Sequence, residues 1–330
     1  MEQHAADPPR RKRKREKEEC GQTAAEGTSE VPNMEAAAGK KRKKKQAVNQ
    51  PKKTTQGQEK AAEPDAFASN YVIGEKLGEG SFGSVFKGRH ISDGLQVAIK
   101  VVSKTEYLQS LVDFRAVPTE VALMQMVNQP PVCKNIIQLI EWFDEPDQYI
   151  LVLERPDPCV DLLTFFDNLG GRADEDTART IMLQAVEAAR QCSLRGVLHR
   201  DIKLANFLIN TDTSEVKLID FGCGDKIERM GYTQYKGTFL YCPPEFLLEH
   251  RYHANPATVW SLGVLLFRMV RGDFPFYDKT DIVQGRLNFR GGLSQECRNL
   301  IEWCLQHDQS RRPSFEQIRQ HEWFQRTVQG

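Results

Sequence analysis

From Tyr71 the chain carries short, strand-like apolar runs separated by polar turns, and beyond Pro158 the spacing turns helical. Tyr71-Val72-Ile73, Val85-Phe86-Lys87-Gly88, Val97-Ala98-Ile99-Lys100, Ile136-Ile137-Gln138-Leu139-Ile140 and Tyr149-Ile150-Leu151-Val152-Leu153-Glu154 predict five strands. Ser92-Asp93-Gly94 is the turn of one hairpin, and Glu145-Pro146-Asp147 separates the last two strands. One helix interrupts them, starting at Pro118 and carrying Val121, Leu123, Met124, Met126 and Val127. Arg155-Pro156-Asp157-Pro158 stops both kinds of element, because proline lacks a backbone donor and crowds its neighbours, and a hinge is placed there. Helices are then predicted over 161–169 and 176–194, the second with Ile181, Leu183, Val186 and Ala189 as its apolar positions. Others follow around 245–250, 258–271 and 293–305 and from Ser314. The expected fold is α+β in two lobes. A small lobe over 67–154, regular from Tyr71, has a five-stranded antiparallel sheet and one key helix; hinge and larger, mainly helical lobe occupy 155–330.

Residues 1–66 have almost no large apolar side chains and cannot bury enough surface to offset ordering entropy, so they read as a disordered tail. They carry 16 of the chain's 45 Lys and Arg but 11 of its 45 Asp and Glu, so a net charge of zero hides a basic tail before an acidic body. Arg10 to Arg15 and Lys40 to Lys45 are solid basic blocks, read either as nuclear import or nucleic-acid signals or as solvated charge. No aromatic residue precedes Phe67, so sequence-specific nucleic-acid binding is not expected. Eight scattered cysteines, no apolar leader and no run approaching a membrane span predict a cytoplasmic and nuclear protein with reduced thiols.

The candidate chemistry lies in short stretches. Gly78-Glu79-Gly80-Ser81-Phe82-Gly83 would let the backbone approach a polyphosphate, with Val85 packing a base. A dinucleotide turn needs a helix directly after the glycines, and here a strand follows. Lys100, among apolar neighbours, needs an anionic partner; the candidates are a phosphate and Glu120. His199-Arg200-Asp201-Ile202-Lys203-Leu204-Ala205-Asn206 holds a base, a cation and an amide within one loop, and Leu218-Ile219-Asp220-Phe221-Gly222 brings a second carboxylate to a strand end. Together they can orient a hydroxyl, offset phosphate charge and hold Mg²⁺.

In that order, and with Pro243-Pro244-Glu245 downstream, these motifs resemble the eukaryotic protein kinases over residues 71–325. The resemblance implies ATP and Mg²⁺ as cofactors, with Lys100 on the phosphates and paired to Glu120. It implies Asp201 as the base, Lys203 on the transferred phosphate, Asn206 and Asp220 on the metal, and Arg312 bracing Glu245. It also assigns Leu77, Gly78, Gly80, Ser81, Phe82, Gly83, Val85, Ala98, Leu153, Glu154, Pro156, Asp157 and Leu208 to the ATP site. Lys203 and Thr238 match serine/threonine kinases, so protein substrates with Ser or Thr acceptors are expected.

Leu153-Glu154-Arg155-Pro156-Asp157-Pro158, Tyr241-Cys242-Pro243-Pro244-Glu245, Val259-Trp260-Ser261-Leu262-Gly263 and His321-Glu322-Trp323 are similar to the Pim kinases in particular. Leu204 and Ala205 stand where that family has acids, and so do Gln234 and Lys236 in the activation segment; the chain is identified as a divergent Pim-like member. The family pattern implies arginines before the acceptor, met here more weakly by Asp157, Asp161, Asp273, Asp278 and Asp281. Arg200 then needs another acid, or a phosphate on Thr233. A monomer is expected, with import machinery as a partner of the tail. The alternatives are a catalytically weak pseudokinase or scaffold, or a nuclear protein whose tail binds nucleic acid.

Overall fold

The computed structural model describes residues 66–80, 83–104, 117–289 and 291–325. Both basic blocks and the disorder expected of the tail therefore lie outside the described residues. Five strands form an antiparallel sheet in the order β1-β2-β3-β5-β4: β1 (Tyr71–Gly80), β2 (Gly83–His90), β3 (Gln96–Ser103), β4 (Leu139–Asp144) and β5 (Gln148–Glu154). Side-chain alternation separates its two faces. Val97, Ile99, Ile150 and Val152 join Phe67 and Tyr71 in one buried cluster, while Leu151, opposite Lys100 in register, belongs to the main core.

A short helix, α1 (Ala66–Asn70), precedes the sheet and was not expected. Its Phe67 stacks on Tyr71 at 5.7 Å and meets Phe143 edge-on at 5.4 Å, closing the outer face of the sheet. Burying such a ring contributes about 1.5–3 kcal/mol. Five residues are too few to carry a helical period.

β4 also differs from the strand expected over Ile136–Ile140, beginning only at Leu139. Ile136 and Ile137 are buried in the main core, and the Ile137 amide donates to the Leu218 carbonyl at 3.0 Å. Their apolar run is core packing between lobes, which periodicity does not separate from a strand. The key helix, α2 (Thr119–Val127), starts after Pro118 as expected and buries Glu120, Val121, Leu123, Met124 and Val127.

β5 ends at Glu154 and residues 155–158 form neither strand nor helix, as expected of the prolines, but a short strand that was not expected follows: β6 (Cys159–Asp161), paired with β8 (Phe207–Asn210). Asp161 then caps α3 (Leu162–Asn168) and Asp174 caps α4 (Glu175–Leu194). In α4 the inward face runs through Ala178, Ile181, Met182, Ala185, Val186, Ala189 and Cys192. Leu183 is 42% exposed and corrects the expected face, since it falls between the inward rows. β7 (Val197–Leu198) pairs with β10 (Asp225–Lys226), and β8 with β9 (Val216–Leu218).

The large lobe is completed by α5 (Pro244–Glu249), α6 (Ala254–Arg271), α7 (Lys279–Gln284), α8 (Gln295–Cys304), α9 (Phe315–Gln320) and α10 (Glu322–Gln325). α7 and α10 were not expected, and α6 starts four residues before the expected 258. Pro256 lies in its first turn, where a missing N–H costs nothing, so the proline is inside the helix. Thirteen of its 18 residues are buried, which makes α6 the axis of the lobe. A Cβ on Gly263 would come within 2.8 Å of the Cys304 Cβ, so glycine lets α6 and α8 touch. No described helix is long and apolar enough to cross a membrane.

Candidate active site

β3, α2 and the segment after β9 meet at Lys100. Its ammonium, 3% exposed, lies 2.6 Å from Glu120 and 2.8 Å from Asp220. Burial alone would lower its pKa, but the Asp220 and Glu120 carboxylates outweigh that and hold the pKa raised, so Lys100 stays charged. Burial pushes the Glu120 carboxyl up, with Lys100 opposing it. At Asp220 burial is overcome by Lys100, and the pKa falls below the usual carboxylate range. One buried cation thus faces two acids.

The glycine turn closes over this group. β1 and β2 pair through Gly78↔Val85, Glu79↔Ser84 and Gly80↔Gly83. Gly83 has a φ of 152°, and a Cβ there would reach the Val101 carbonyl oxygen at 2.1 Å. At Gly80 the added Cβ would stand 3.9 Å from the Asp220 Oδ2, which places Gly80 beside that carboxylate. Val85 is opposite Lys100, and Ala98 opposite Leu153, which with Glu154 ends β5. Leu77 is exposed, Pro156 and Leu208 half-buried and Asp157 exposed. Ser81 and Phe82 lie outside the described residues.

The loop after β7 supplies the second group. Asp201 Oδ1 accepts from the Thr238 amide (2.9 Å) and hydroxyl (2.7 Å). Its Oδ2 accepts from Asn206 Nδ2 at 2.9 Å and lies 3.0 Å from the Lys203 ammonium. Lys203 also donates to the Thr238 hydroxyl at 2.9 Å. Four donors hold this buried carboxylate in one orientation. Asn206 is tied to the Asp220 segment, since its carbonyl accepts from the Ile219 amide at 2.9 Å.

His199 underlies both groups. Its Nε2 is 3.0 Å from the Ile219 carbonyl, which can only accept, so Nε2 carries the hydrogen and Nδ1 accepts from the Asp201 amide at 3.3 Å. Burial lowers its pKa and keeps it neutral. Arg200 and Asp220 hold left-handed φ values of 69° and 63°, local backbone strain of the kind stored at functional sites. Arg200 pairs with Asp225 and lies over the Tyr232 ring at 4.7 Å. Of the two partners expected for Arg200, the structure supplies an acid. Arg312 meets Glu245 through two hydrogen bonds of 2.8 and 2.6 Å.

Sequence reasoning missed Asp225 and the contacts of Lys217 described below. No spacing links Asp225 to Arg200, or Lys217 to Glu154 and Lys134, because these contacts join segments distant in sequence. The acids named for basic substrates have other duties as well. Asp161 and Asp278 cap α3 and α7, and Asp281 accepts from the Tyr277 amide at 3.2 Å.

Asn206 and Asp220 offer oxygen to a metal. Asn206 spends its Nδ2 on Asp201, which turns its amide oxygen away from that contact, and Asp220 spends Oδ1 on Lys100. A hard donor pair suits Mg²⁺, which is commonly held by one or two side chains together with substrate phosphates. Among the described residues no group of three His, Cys, Asp or Glu could hold a metal ion. The residues fit the ion.

The protein kinase domain family matches residues 71–324. The chain is 44% identical over 266 residues to the serine/threonine-protein kinase pim-2 of Danio rerio, covering 78% of this chain and 86% of that protein. It is 35% identical over 262 residues to the serine/threonine-protein kinase prk-2 of Caenorhabditis elegans, covering 78% of this chain and 58% of that protein. To the human SNF-related serine/threonine-protein kinase it is 34% identical over 266 residues, covering 78% of this chain and 34% of that protein. The five-stranded sheet and helical lobe are the two-lobed α+β fold of this family. Nothing in these similarities favours a scaffold or a nucleic-acid-binding protein. The chain belongs to the protein kinase domain family and is a Pim-like serine/threonine protein kinase.

Proposed function

We propose that the chain transfers the γ-phosphate of ATP to Ser or Thr of proteins bearing basic residues before the acceptor, with Asp201 as the base. The observation that carries this reading is the Asp201 carboxylate, aimed by Thr238, Asn206 and Lys203. Asp201 orients the acceptor hydroxyl and takes its proton. Lys203, beside the Asp201 carboxylate, offsets charge on the transferred phosphate. Lys100, kept charged by Glu120 and Asp220, binds the α and β phosphates beneath the glycine turn. Asn206 and Asp220 would hold Mg²⁺, which when bound would supply positive charge to offset that of the phosphates. Asp225 engages Arg200, so basal activity without phosphate on Thr233 is part of this reading.

Leu204 is buried and Ala205 carries no charge, so recognition of basic substrates falls to acids at the rim. Rim pairs are weak and screened by salt. A positional peptide library phosphorylated at low and at high salt tests this. A preference for Arg or Lys before the acceptor that fades with salt supports the reading; an acidic or salt-insensitive preference refutes it.

Pro156 stands where the family resemblance puts a backbone donor to adenine, and proline has none. One neutral hydrogen bond is worth roughly 1 kcal/mol, or about fivefold in affinity. Replacing Pro156 by alanine is expected to strengthen inhibitors with a two-point hinge contact by about that factor. Unchanged inhibition constants would count against the hinge assignment.

For the tail we propose nuclear import, with the kinase in both nucleus and cytoplasm. Neutralising Arg10–Arg15 and Lys40–Lys45 in the full chain should shift it to the cytoplasm without changing peptide turnover. An unchanged distribution would leave the tail a solvated spacer.

A further inference from the structure

Lys217 lies on β9, three residues before Asp220, and its ammonium joins three segments of the chain. It donates to the Lys134 carbonyl at 2.7 Å and lies 3.2 Å from Glu154 and 3.1 Å from Glu215. Only 13% of its side chain is exposed. Glu154 is the last residue of β5, and its Oε1 also accepts from the Gln138 amide at 3.0 Å. That one carboxylate oxygen is therefore shared between a backbone amide of the small lobe and an ammonium of the large lobe. In the β8–β9 register Lys217 stands opposite Leu208. Lys217, Leu208 and Pro156 help line a cavity of about 200 Å³.

We propose that Lys217 is a positioning residue for nucleotide binding, setting the gap between the end of β5 at Glu154 and the β8–β9 hairpin that carries Leu208. Glu154 leads into Arg155-Pro156-Asp157-Pro158, and two of these four residues lack the N–H that could otherwise tie the hinge to β8 or β9. A side-chain contact takes that place, and lysine serves it because its three donors reach three acceptors at once. Without the ammonium, Glu154 keeps Gln138, and the large lobe holds the hinge only beyond Pro156, through the Thr211 amide on the Pro158 carbonyl at 3.2 Å and the β6–β8 pairing. The adenine end of the site then loosens, while the distant Asp201 group keeps its own contacts. The proposal rests on the assignment of Glu154, Pro156 and Leu208 to the nucleotide site.

The test is steady-state kinetics of the full chain carrying Lys217→Met, Lys217→Arg, Glu154→Gln or the double change Lys217→Met/Glu154→Gln. Lys217→Met is expected to raise KM for ATP about three- to tenfold, the mark of lost uniform binding, with kcat and the peptide KM within about twofold. Lys217→Arg should recover most of that loss, and the double variant should be no worse than the worse single one. A wild-type KM for ATP in Lys217→Met overturns the proposal even if the melting temperature falls, and so does a lowered kcat with unchanged KM for ATP. If Lys217→Met does not fold, Glu154→Gln carries the test, and a wild-type KM for ATP there is equally fatal. Pro156→Ala separates the two levels. If it changes nucleotide affinity and Lys217→Met does not, only this proposal fails. If neither does, the hinge assignment fails with it.

Discussion

Lys100→Met is expected to remove nearly all phosphoryl transfer and to destabilise the protein in the same step. The ammonium is the shared partner of Glu120 and Asp220, and Glu120 is only 2% exposed. Removing one member of a buried ion pair costs about 3–5 kcal/mol, because the buried acid left behind must stay charged without its cation or take a proton. Burial already pushes the Glu120 carboxyl up, so without Lys100 it would take a proton. Losing a positioned cation at the phosphates should cost about 10²–10³ in kcat. The double variant Lys100→Met/Glu120→Gln separates the two effects. It removes the stranded acid and should recover most of the melting temperature, but none of the turnover. If turnover returned with stability, Lys100 would serve only to neutralise Glu120.

The second large effect belongs to the fold. Arg312→Leu should lower the melting temperature by roughly 6–20 °C, from about 3–5 kcal/mol at about 2–4 °C per kcal/mol for a domain of this size. Arg312 is buried with Glu245, donates also to the Gln306 and Pro256 carbonyls at 2.8 and 3.0 Å, and lies over the Trp260 ring at 4.9 Å. No other side chain supplies those planar donors together, so Arg312→Lys should rescue only part of the loss. Thermal unfolding of the three proteins decides it. A fall of less than about 2 °C would mean that the pair contributes no more than a surface ion pair.

The sheet and the key helix could be read from sequence because short apolar runs between turn residues mark the strands and a helical spacing after Pro118 marks the helix. Lys100 stands out because a charge among Val97, Ile99 and Val101 demands a partner, and Asp220 because it ends an apolar strand. Asp201, Lys203 and Asn206 share one loop, so their spacing alone suggested a site. What could not be read depends on contacts between distant segments. Ile136 and Ile137 look like strand residues, but they are held by Leu218 at the junction of the lobes. Phe67 carries no period, and only the ring contacts with Tyr71 and Phe143 make α1 part of the fold. Asp225 is an ordinary exposed acid in sequence, and becomes the partner of Arg200 only because β10 pairs with β7.

In the proposed reaction the carboxylate held by Thr238, Asn206 and Lys203 acts on the acceptor hydroxyl. The most direct measurement is single-turnover transfer of the γ-phosphate from ATP to a basic serine peptide, with nucleotide binding measured on the same samples of full chain and of Asp201→Asn. General base catalysis is worth about 10²–10⁴ in rate. The expected result is a loss of at least about 10²-fold in transfer for Asp201→Asn, with ATP affinity within about twofold. Transfer by Asp201→Asn at the wild-type rate would contradict the account.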